Sequence, residues 1–170
     1  MVEYVRVSPV LRKIFIYLRQ RMLHRYCRHV SFGDLFTDRW ETAQYLGFGK
    51  GSSCYDNVLV LGDVVVGENT WIGPNVILDG SGGLVIGDYC SISAGAQLYT
   101  HDTVQWSTSL GHSPIERAPV TIGNGVYIGP QVVIQKGVSI GDRAVIGAMS
   151  FVNRDVGEGE RFFGIPASKR

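Results

Sequence analysis

Aliphatic residues recur at a step of six along most of the chain, a period that matches neither an amphipathic helix nor an alternating strand. The residues that keep this step, here called the markers, are Val60, Val66, Ile72 and Leu78, then, after a slip of two residues, Ile86, Ile92 and Leu98, and finally Ile122, Ile128, Ile134, Ile140, Ile146 and Val152. A glycine directly follows many of the markers, and a small or β-branched residue stands four positions after most of them.

A six-residue repeat is too short to enclose a core of its own, so each repeat is predicted to be one very short strand and one turn that stack on their neighbours. Three repeats then form one coil of a triangular prism, with the markers pointing inward. The pattern therefore predicts an all-β solenoid, a parallel β-helix. Pairs that favour turns lie between the markers, at Glu68-Asn69, Pro74-Asn75, Asn124-Gly125, Lys136-Gly137 and Asp142-Arg143.

The repeat covers only part of the chain. We expect an N-terminal helical segment over residues 1–56 and the solenoid over residues 57–170, with an excursion from the repeat over residues 99–121. Apolar residues at steps of three and four predict a helix over residues 9–29, and a second short helix is expected from near Asp38 to Gly47, with Trp40 and Tyr45 buried against the prism. Function is expected to concentrate in the excursion, because the solenoid does not need it to close.

The first helix combines an apolar stripe with many cations. Leu11, Phe15 and Leu18 belong to the stripe, and the other faces are rich in arginine. Such a helix could bind an anionic membrane surface. It could equally cap the solenoid or meet another subunit, and this second interpretation is favoured because the terminal coils of a solenoid expose apolar edges.

Composition narrows the functional classes. The chain has 170 residues and a formal net charge of +1, which favours one domain and gives no general attraction to nucleic acid. No segment is apolar and long enough to span a bilayer, and no secretory signal pattern is present at the N-terminus. Cys27, Cys54 and Cys90 are scattered, which fits neither a disulfide framework nor a zinc site and indicates a reducing compartment such as the cytoplasm.

The excursion opens with Tyr99-Thr100-His101-Asp102-Thr103 and later contains Gly111-His112. Together with the hexads, the stretch over residues 120–129, Ile146-Gly147-Ala148-Met149-Ser150 and the closing Gly164-Ile165-Pro166-Ala167, these residues make the sequence similar to the hexapeptide-repeat acyltransferases of left-handed β-helix fold. More narrowly, it resembles the branch with galactoside, maltose and xenobiotic O-acetyltransferases and acetyltransferases of surface-polysaccharide biosynthesis.

The resemblance implies a homotrimer that binds acetyl-coenzyme A in a groove between adjacent prisms. The general base of the family falls on His101, which would take the proton from an acceptor hydroxyl or amine as that group attacks the thioester. Because the cysteines match no nucleophile position of the family, direct transfer without an acyl-enzyme is expected. An exposed loop histidine with no role is the alternative for His101.

The resemblance also assigns the binding residues. Coenzyme A is expected against the turns around Gly129 and Ala148, with Arg154, Lys169 and Arg170 as phosphate-binding cations. For Arg154 a solvated turn residue stays an alternative, and for the last two residues disorder does.

Three further residues are candidates for contact with the acceptor, namely Asp102, Trp106 and Tyr127. An electrostatic or capping role for Asp102 and an anchoring role for Trp106 stay open, and His112 is interpreted as an ordinary loop histidine. A sugar or nucleotide-sugar of bacterial glycan metabolism is favoured as acceptor over a xenobiotic.

Two other classes share such a fold. A γ-type carbonic anhydrase would need three histidines around zinc across a subunit interface, but His101 and His112 lack the expected spacing, so no metal is expected. A non-catalytic trimeric scaffold is the second alternative, and it predicts that acetyl-coenzyme A does not bind.

Overall fold

The structure is a computed structural model in which residues 8–170 are described; the first seven residues of the expected N-terminal segment lie outside this range. The chain divides into two compact units, Met1–Asp38 and Arg39–Arg170. The elements in chain order are α1 (Pro9–Tyr26), a short 3-10 helix (Gly33–Leu35), α2 (Arg39–Tyr45), β1 (Ser53–Cys54), β2 (Leu59–Val66), β3 (Trp71–Ile72), β4 (Ile77–Ile86), β5 (Ser91–Ile92), β6 (Gln97–Leu98), β7 (His101–Asp102), α3 (Val104–Thr108), β8 (Glu116–Arg117), β9 (Val120–Ile122), β10 (Tyr127–Ile128), β11 (Val133–Ile134), β12 (Ser139–Ile140), β13 (Val145–Ile146), β14 (Phe151–Val152), β15 (Arg161–Gly164) and β16 (Ala167–Lys169).

The first unit consists mainly of α1. Pro9 stands in its first turn, where a fixed φ favours the helix, and Cys27 ends it in the left-handed conformation, with its N–H donated to the carbonyl oxygen of Leu23 at 2.9 Å. The helix predicted over residues 9–29 is therefore confirmed over residues 9–26. No residue of α1 is buried, and no helix among residues 8–170 has the length and apolarity to cross a membrane.

The second unit begins with α2, which lies where the second helix was predicted. Ala43 and Phe48 are buried there, whereas Trp40 and Tyr45 are exposed, so the prediction that these two aromatic residues are buried is wrong. Tyr45 follows Ala43 by two residues, which places it on the opposite side of the helix. The Trp40 ring lies instead beneath the guanidinium group of Arg39, at 4.3 Å.

Three stacks of parallel strands form the faces of a triangular prism, as the repeat predicts. The first face contains β1, β3, β5, β10, β13 and β15. The second contains the first halves of β2 and β4 with β6, β11 and β14, and the third contains the second halves of β2 and β4 with β9 and β12. We call the turns between the first and second faces the first corner, those between the second and third faces the second corner, and those that return to the first face the third corner.

The solenoid makes about six turns and begins earlier than the sequence indicates. Cys54 of β1 already pairs with the marker Ile72, so the first strand precedes the expected start at residue 57. The boundary expected between residues 56 and 57 thus differs from the division between Asp38 and Arg39 that the structure shows.

The markers form the core. Every marker from Val66 onward is buried, and only Val60 of the first coil is partly buried. Each marker lies over the equivalent marker of the next coil, as in the pairs Ile128 with Ile146 and Ile134 with Val152. Full burial of one such side chain is worth about 1.5–3 kcal/mol, so the stacked markers supply the main driving force for the fold.

The turn pairs predicted from the sequence are confirmed by the backbone. The second residue of each pair has a positive φ, with values of 53° at Asn69, 58° at Asn75, 66° at Gly125, 81° at Gly137 and 58° at Arg143. Asparagine and glycine adopt this left-handed conformation more readily than other residues, which explains their recurrence at the corners.

The glycines that follow the markers leave room for the next coil. At the third corner, Asp88 Oδ1 accepts the N–H of Glu68 at 2.7 Å, and Asp142 Oδ1 accepts the N–H of Asn124 at 2.8 Å. A Cβ atom on Gly123 would lie 2.2 Å from Asp142 Oδ1. The glycine after a marker is therefore required because the following coil places a side chain or turn against it.

The excursion leaves the prism at the second corner of the third coil. Its two ends form an antiparallel hairpin, β7 with β8, in which His101 pairs with Arg117 and Asp102 pairs with Glu116. The solenoid resumes at β9, so Val120 and Thr121, which the sequence placed in the excursion, belong to the third face.

The close approach of consecutive coils predicts that replacement of glycine by alanine lowers stability more at Gly141 than at Gly157. Gly141→Ala should lower the free energy of unfolding by about 1–3 kcal/mol, because its Cβ would lie 2.6 Å from the backbone nitrogen of Glu158. Denaturant unfolding followed by circular dichroism measures the change. Gly157→Ala is the matched control, since its Cβ would meet only the flexible side chain of Glu160 at 3.0 Å. Equal stability of the two variants would contradict this account of the glycines.

Candidate active site

His101 lies at the second corner and is oriented by a buried carboxylate. Its Nδ1 is 2.6 Å from Asp79 Oδ2, with the His101 side chain 31% exposed and the Asp79 side chain fully buried. Asp79 follows the marker Leu78, and His101 follows the marker Leu98, which is paired with Leu78 in the next coil. Stacking of consecutive coils therefore brings the two residues together although 22 positions separate them in the sequence.

Asp79 is held in its ionised form by several donors. Its Oδ1 accepts the Ser81 hydroxyl at 2.5 Å and the Ser81 N–H at 3.1 Å, while its Oδ2 accepts the Thr100 N–H at 2.9 Å. Burial acts to raise the pKa of Asp79, but the hydrogen bonds from Ser81, Thr100 and His101 outweigh it and hold that pKa well below its ordinary value. An ionised Asp79 carboxylate thus faces the His101 ring at neutral pH.

The carboxylate fixes which ring nitrogen of His101 carries the proton. An ionised carboxylate can only accept, so the hydrogen bond requires the proton on Nδ1. Nε2 then carries a free lone pair, and it is the nitrogen available to accept a proton from another molecule. The geometry gives His101 the tautomer and the orientation of a general base.

Thr100 fixes the root of the hairpin. Its buried hydroxyl lies 2.7 Å from the Asp79 carbonyl oxygen and accepts the Gly82 N–H at 2.8 Å. Its carbonyl oxygen accepts the Ala118 N–H at 2.9 Å, which joins the two ends of the excursion. A Cβ on Gly82 would lie 2.5 Å from that carbonyl oxygen, so this corner needs glycine to admit the hairpin.

Sequence reasoning identified His101 but did not identify Asp79. Two signals marked the position: an aspartate follows Leu78 where a glycine follows many other markers, and the six-residue step slips by two residues directly after it. The slip adds the residues that include Ser81 and Gly82. Ser81 donates a hydrogen bond to Asp79, and Gly82 donates one to the Thr100 hydroxyl.

Asp102, the residue after His101, forms an ion pair. Its Oδ2 is 2.6 Å from Lys136 Nζ, and its Oδ1 accepts the Val104 N–H at 3.0 Å. The hydrogen bond from Lys136 is the main cause that lowers the pKa of Asp102. Asp102 therefore links the excursion to the next coil, and its predicted contact with an acceptor stays a prediction.

The other candidate residues of the excursion lie on its exposed part. Trp106, in α3, is about half exposed, and its carbonyl oxygen accepts the Gly111 N–H at 2.7 Å. His112 is exposed and donates its backbone N–H to Ser109. The Trp106 backbone is thus held within the excursion, and about half of the residue stays exposed.

Three candidates lie elsewhere on the same chain. Tyr127 projects from the outer side of the first face, in register with Ser91 and Val145. Gly129 and Ala148 occupy the first corner, where Gly129 is buried and Ala148 is exposed. A Cβ on Gly129 would lie 2.6 Å from the Ala148 nitrogen, so packing between coils alone already requires a glycine there.

The three candidate cations differ in their surroundings. Arg154 is exposed at the second corner, two coils after His101. Lys169 belongs to β16 and pairs with Glu160 at 2.8 Å, and the guanidinium group of Arg170 lies 5.9 Å from the centre of the Phe163 ring. Within one chain, the structure places Arg154 on the same corner as His101 and places Gly129 and Ala148 on a different one.

All three cysteines are free thiols, with Cys54 and Cys90 buried in the core and Cys27 exposed. Over residues 8–170, no group of three or more histidine, cysteine, aspartate or glutamate side chains is placed to hold a metal ion.

Two family models match the repeats. The model described as bacterial transferase hexapeptide (six repeats) matches residues 119–154, and the hexapeptide repeat of succinyl-transferase matches residues 63–99. Both matches lie in the prism, on either side of the excursion.

Several curated relatives are named acetyltransferases. The chain is 34% identical over 144 residues to galactoside O-acetyltransferase from Escherichia coli, a match that covers 79% of this chain and 61% of the relative. It is 35% identical over 94 residues to chloramphenicol acetyltransferase from Morganella morganii, with 43% of each chain covered. The matches thus span about two-fifths to three-fifths of the length of these relatives.

Solved structures share the fold. A hexapeptide-repeat-containing acetyltransferase from Vibrio cholerae O1 biovar eltor, complexed with acetyl-coenzyme A, superposes with a TM-score of 0.69 at 27% identity and covers 96% of this chain and 88% of that chain. A mutant of the N-acyltransferase AntD from Bacillus cereus, in complex with dTDP and coenzyme A, has a TM-score of 0.66 at 23% identity and covers 72% of this chain and 70% of that chain. In its repeats, its relatives and its architecture, this chain is thus similar to the hexapeptide-repeat acyltransferases of left-handed β-helix fold.

Proposed function

We propose that this protein is an acetyl-coenzyme A-dependent acetyltransferase that transfers an acetyl group to a hydroxyl or amine of a sugar. The observation that carries the proposal is the hydrogen bond between His101 Nδ1 and the buried Asp79 carboxylate, which leaves Nε2 as a base on an accessible ring. Similarity to acetyltransferases and to a structure complexed with acetyl-coenzyme A supports the same reaction.

The proposed step is a direct transfer. His101 Nε2 takes the proton of the acceptor O–H or N–H while the acceptor atom attacks the thioester carbonyl carbon. The tetrahedral intermediate collapses, the carbon–sulfur bond breaks, and the imidazolium returns its proton to the leaving thiolate of coenzyme A. Asp79 stabilises the transient imidazolium because its negative charge lies on the far side of the ring. The buried Cys54 and Cys90 take no part.

We propose that the complete site forms between two subunits of a homotrimer. Coenzyme A is expected to lie against Gly129 and Ala148, with Arg154, Lys169 and Arg170 near its phosphates. One chain carries His101 and Ala148 on different corners of the prism, which fits a coenzyme held in a groove between neighbouring prisms, with His101 from one and Ala148 from the other. The exposed Ala148 turn supports this arrangement, because its small side chain leaves the backbone accessible.

For the acceptor, a nucleotide-sugar of bacterial glycan metabolism is the favoured class. AntD was solved in complex with dTDP-4-amino-4,6-dideoxyglucose and coenzyme A, which supports nucleotide-sugars as a class within this fold. The half-exposed Trp106 ring offers an apolar surface of the kind that packs on sugar rings, and Asp102 and Tyr127 stay candidate contacts. The free cysteines fit a cytoplasmic site of action, where acetyl-coenzyme A and reduced thiols occur together.

A xenobiotic acceptor is the second candidate. The observation that favours it is similarity to chloramphenicol acetyltransferases, which reaches 35% identity over 94 residues. Acetyl transfer screened by mass spectrometry against sugars, amino-sugars, nucleotide-sugars and chloramphenicol decides between the two candidates. Absence of transfer to every compound, together with no binding of acetyl-coenzyme A, would favour the non-catalytic scaffold.

Substitutions of His101 and of Asp79 test the assignment of His101 as general base. His101→Ala should lower kcat by about 10²–10⁴-fold while binding of acetyl-coenzyme A and the trimer stay intact. Asp79→Asn should also lower kcat strongly, because an asparagine amide can donate to Nδ1 and reverse the tautomer. Asp63→Asn replaces an exposed carboxylate at the same corner of the preceding coil and should leave kcat unchanged. Wild-type activity in His101→Ala would contradict the assignment.

Complementation tests the intersubunit site. His101→Ala and Ala148→Trp should each be inactive alone, whereas their co-expression should restore part of the activity. In a mixed trimer with sites between neighbours, one interface combines an intact His101 with an intact Ala148. The measurement is specific activity of mixed trimers purified through two different affinity tags. A site contained in one chain would leave the mixed trimers inactive.

A further inference from the structure

We propose that Lys136 is a positioning residue for His101, because its single ammonium group clamps both strands of the hairpin that carries the histidine. The inference rests on the proposed function of His101 and adds a residue to it. Lys136 stands in the turn after β11, at the second corner of the coil that follows His101.

The clamp consists of Lys136 and two carboxylates of the hairpin, Asp102 and Glu116. Lys136 Nζ is 2.6 Å from Asp102 Oδ2 in β7 and 3.0 Å from Glu116 Oε2 in β8. The Lys136 side chain is only 17% exposed, which is low for a surface lysine. One cation from the prism therefore holds both ends of the excursion at the same point.

Charge explains why the hairpin depends on this cation. Asp102 and Glu116 are directly opposite each other in the register of β7 and β8, and like charges at such positions repel. The hairpin has only two residues in each strand, so it has few backbone hydrogen bonds to resist that repulsion. Without Lys136, two unpaired carboxylates would tend to separate the strands.

The clamp acts on the base through the backbone. Thr100 fixes the residue before His101 by its hydrogen bonds to Asp79, and the clamp fixes the residue after it, Asp102. With both neighbours held, the His101 ring can keep its bond to Asp79 while Nε2 points in a constant direction. Loss of one anchor lets the ring shift relative to the acceptor, and a shift of about 1 Å is enough to cost about 100-fold in rate.

A pair of lysine variants tests the proposal. Lys136→Met should lower kcat by about 10- to 100-fold with an unchanged KM for acetyl-coenzyme A, because the base is misplaced and the coenzyme contacts are not. Lys136→Arg should recover most of the lost kcat, since it keeps the cation. The matched control is Arg143→Met, which removes an exposed ion pair with Glu158 between adjacent coils and should leave kcat unchanged.

A second readout does not require activity. Hydrogen–deuterium exchange of the amides in residues 101–117 should be faster in Lys136→Met than in the wild type and in Arg143→Met. Unchanged exchange together with unchanged kcat would overturn the clamp, and a raised KM with constant kcat would overturn it by making Lys136 a coenzyme contact. If the wild type transfers no acetyl group to any acceptor, the proposed function fails, while the exchange measurement still decides whether Lys136 holds the hairpin.

Discussion

Parallel hydrogen bonding between consecutive coils forces each position of one coil to lie over the same position of the next. Ile128 pairs with Ile92 on one side and with Ile146 on the other, and the same rule holds on the other two faces. The core, the turns and the candidate site all depend on this register. It turns chemically similar residues into columns and gives the second corner a column that contains His101, Lys136 and Arg154.

The buried negative charge of Asp79 is the most demanding feature of the second corner. Burial of a carboxylate is costly unless donors surround it, and Asp79 meets this condition with donors from its own corner and from the next coil. The same bonds that make the charge tolerable hold the Thr100 backbone and the His101 ring. Stability and the orientation of the base therefore have one common origin at this corner, and a change in Asp79 affects both.

The periodic part of the structure could be predicted from the sequence because it depends on local rules. The step of six identified the buried markers, and asparagine or glycine identified the turn residues with positive φ. The contact between Asp79 and His101 could not be predicted in the same way, because it depends on which turns face each other after the slip. The prediction that Trp40 and Tyr45 are buried is wrong because it considered only their large apolar side chains. The side of α2 that is covered is the one that carries Ala43.

The hydrogen bond between the Thr100 carbonyl oxygen and the Ala118 N–H closes the base of the excursion. Leu98 and Val120, on either side of it, keep their places in the second and third faces. The segment between Asp102 and Glu116, beyond the base of the excursion, can therefore gain or lose residues without disturbing the register of the prism or the position of His101, at an entropic cost that rises only slowly with length. Evolution can exchange this segment as a cassette, so that one catalytic corner serves acceptors of different size and shape while the scaffold stays constant.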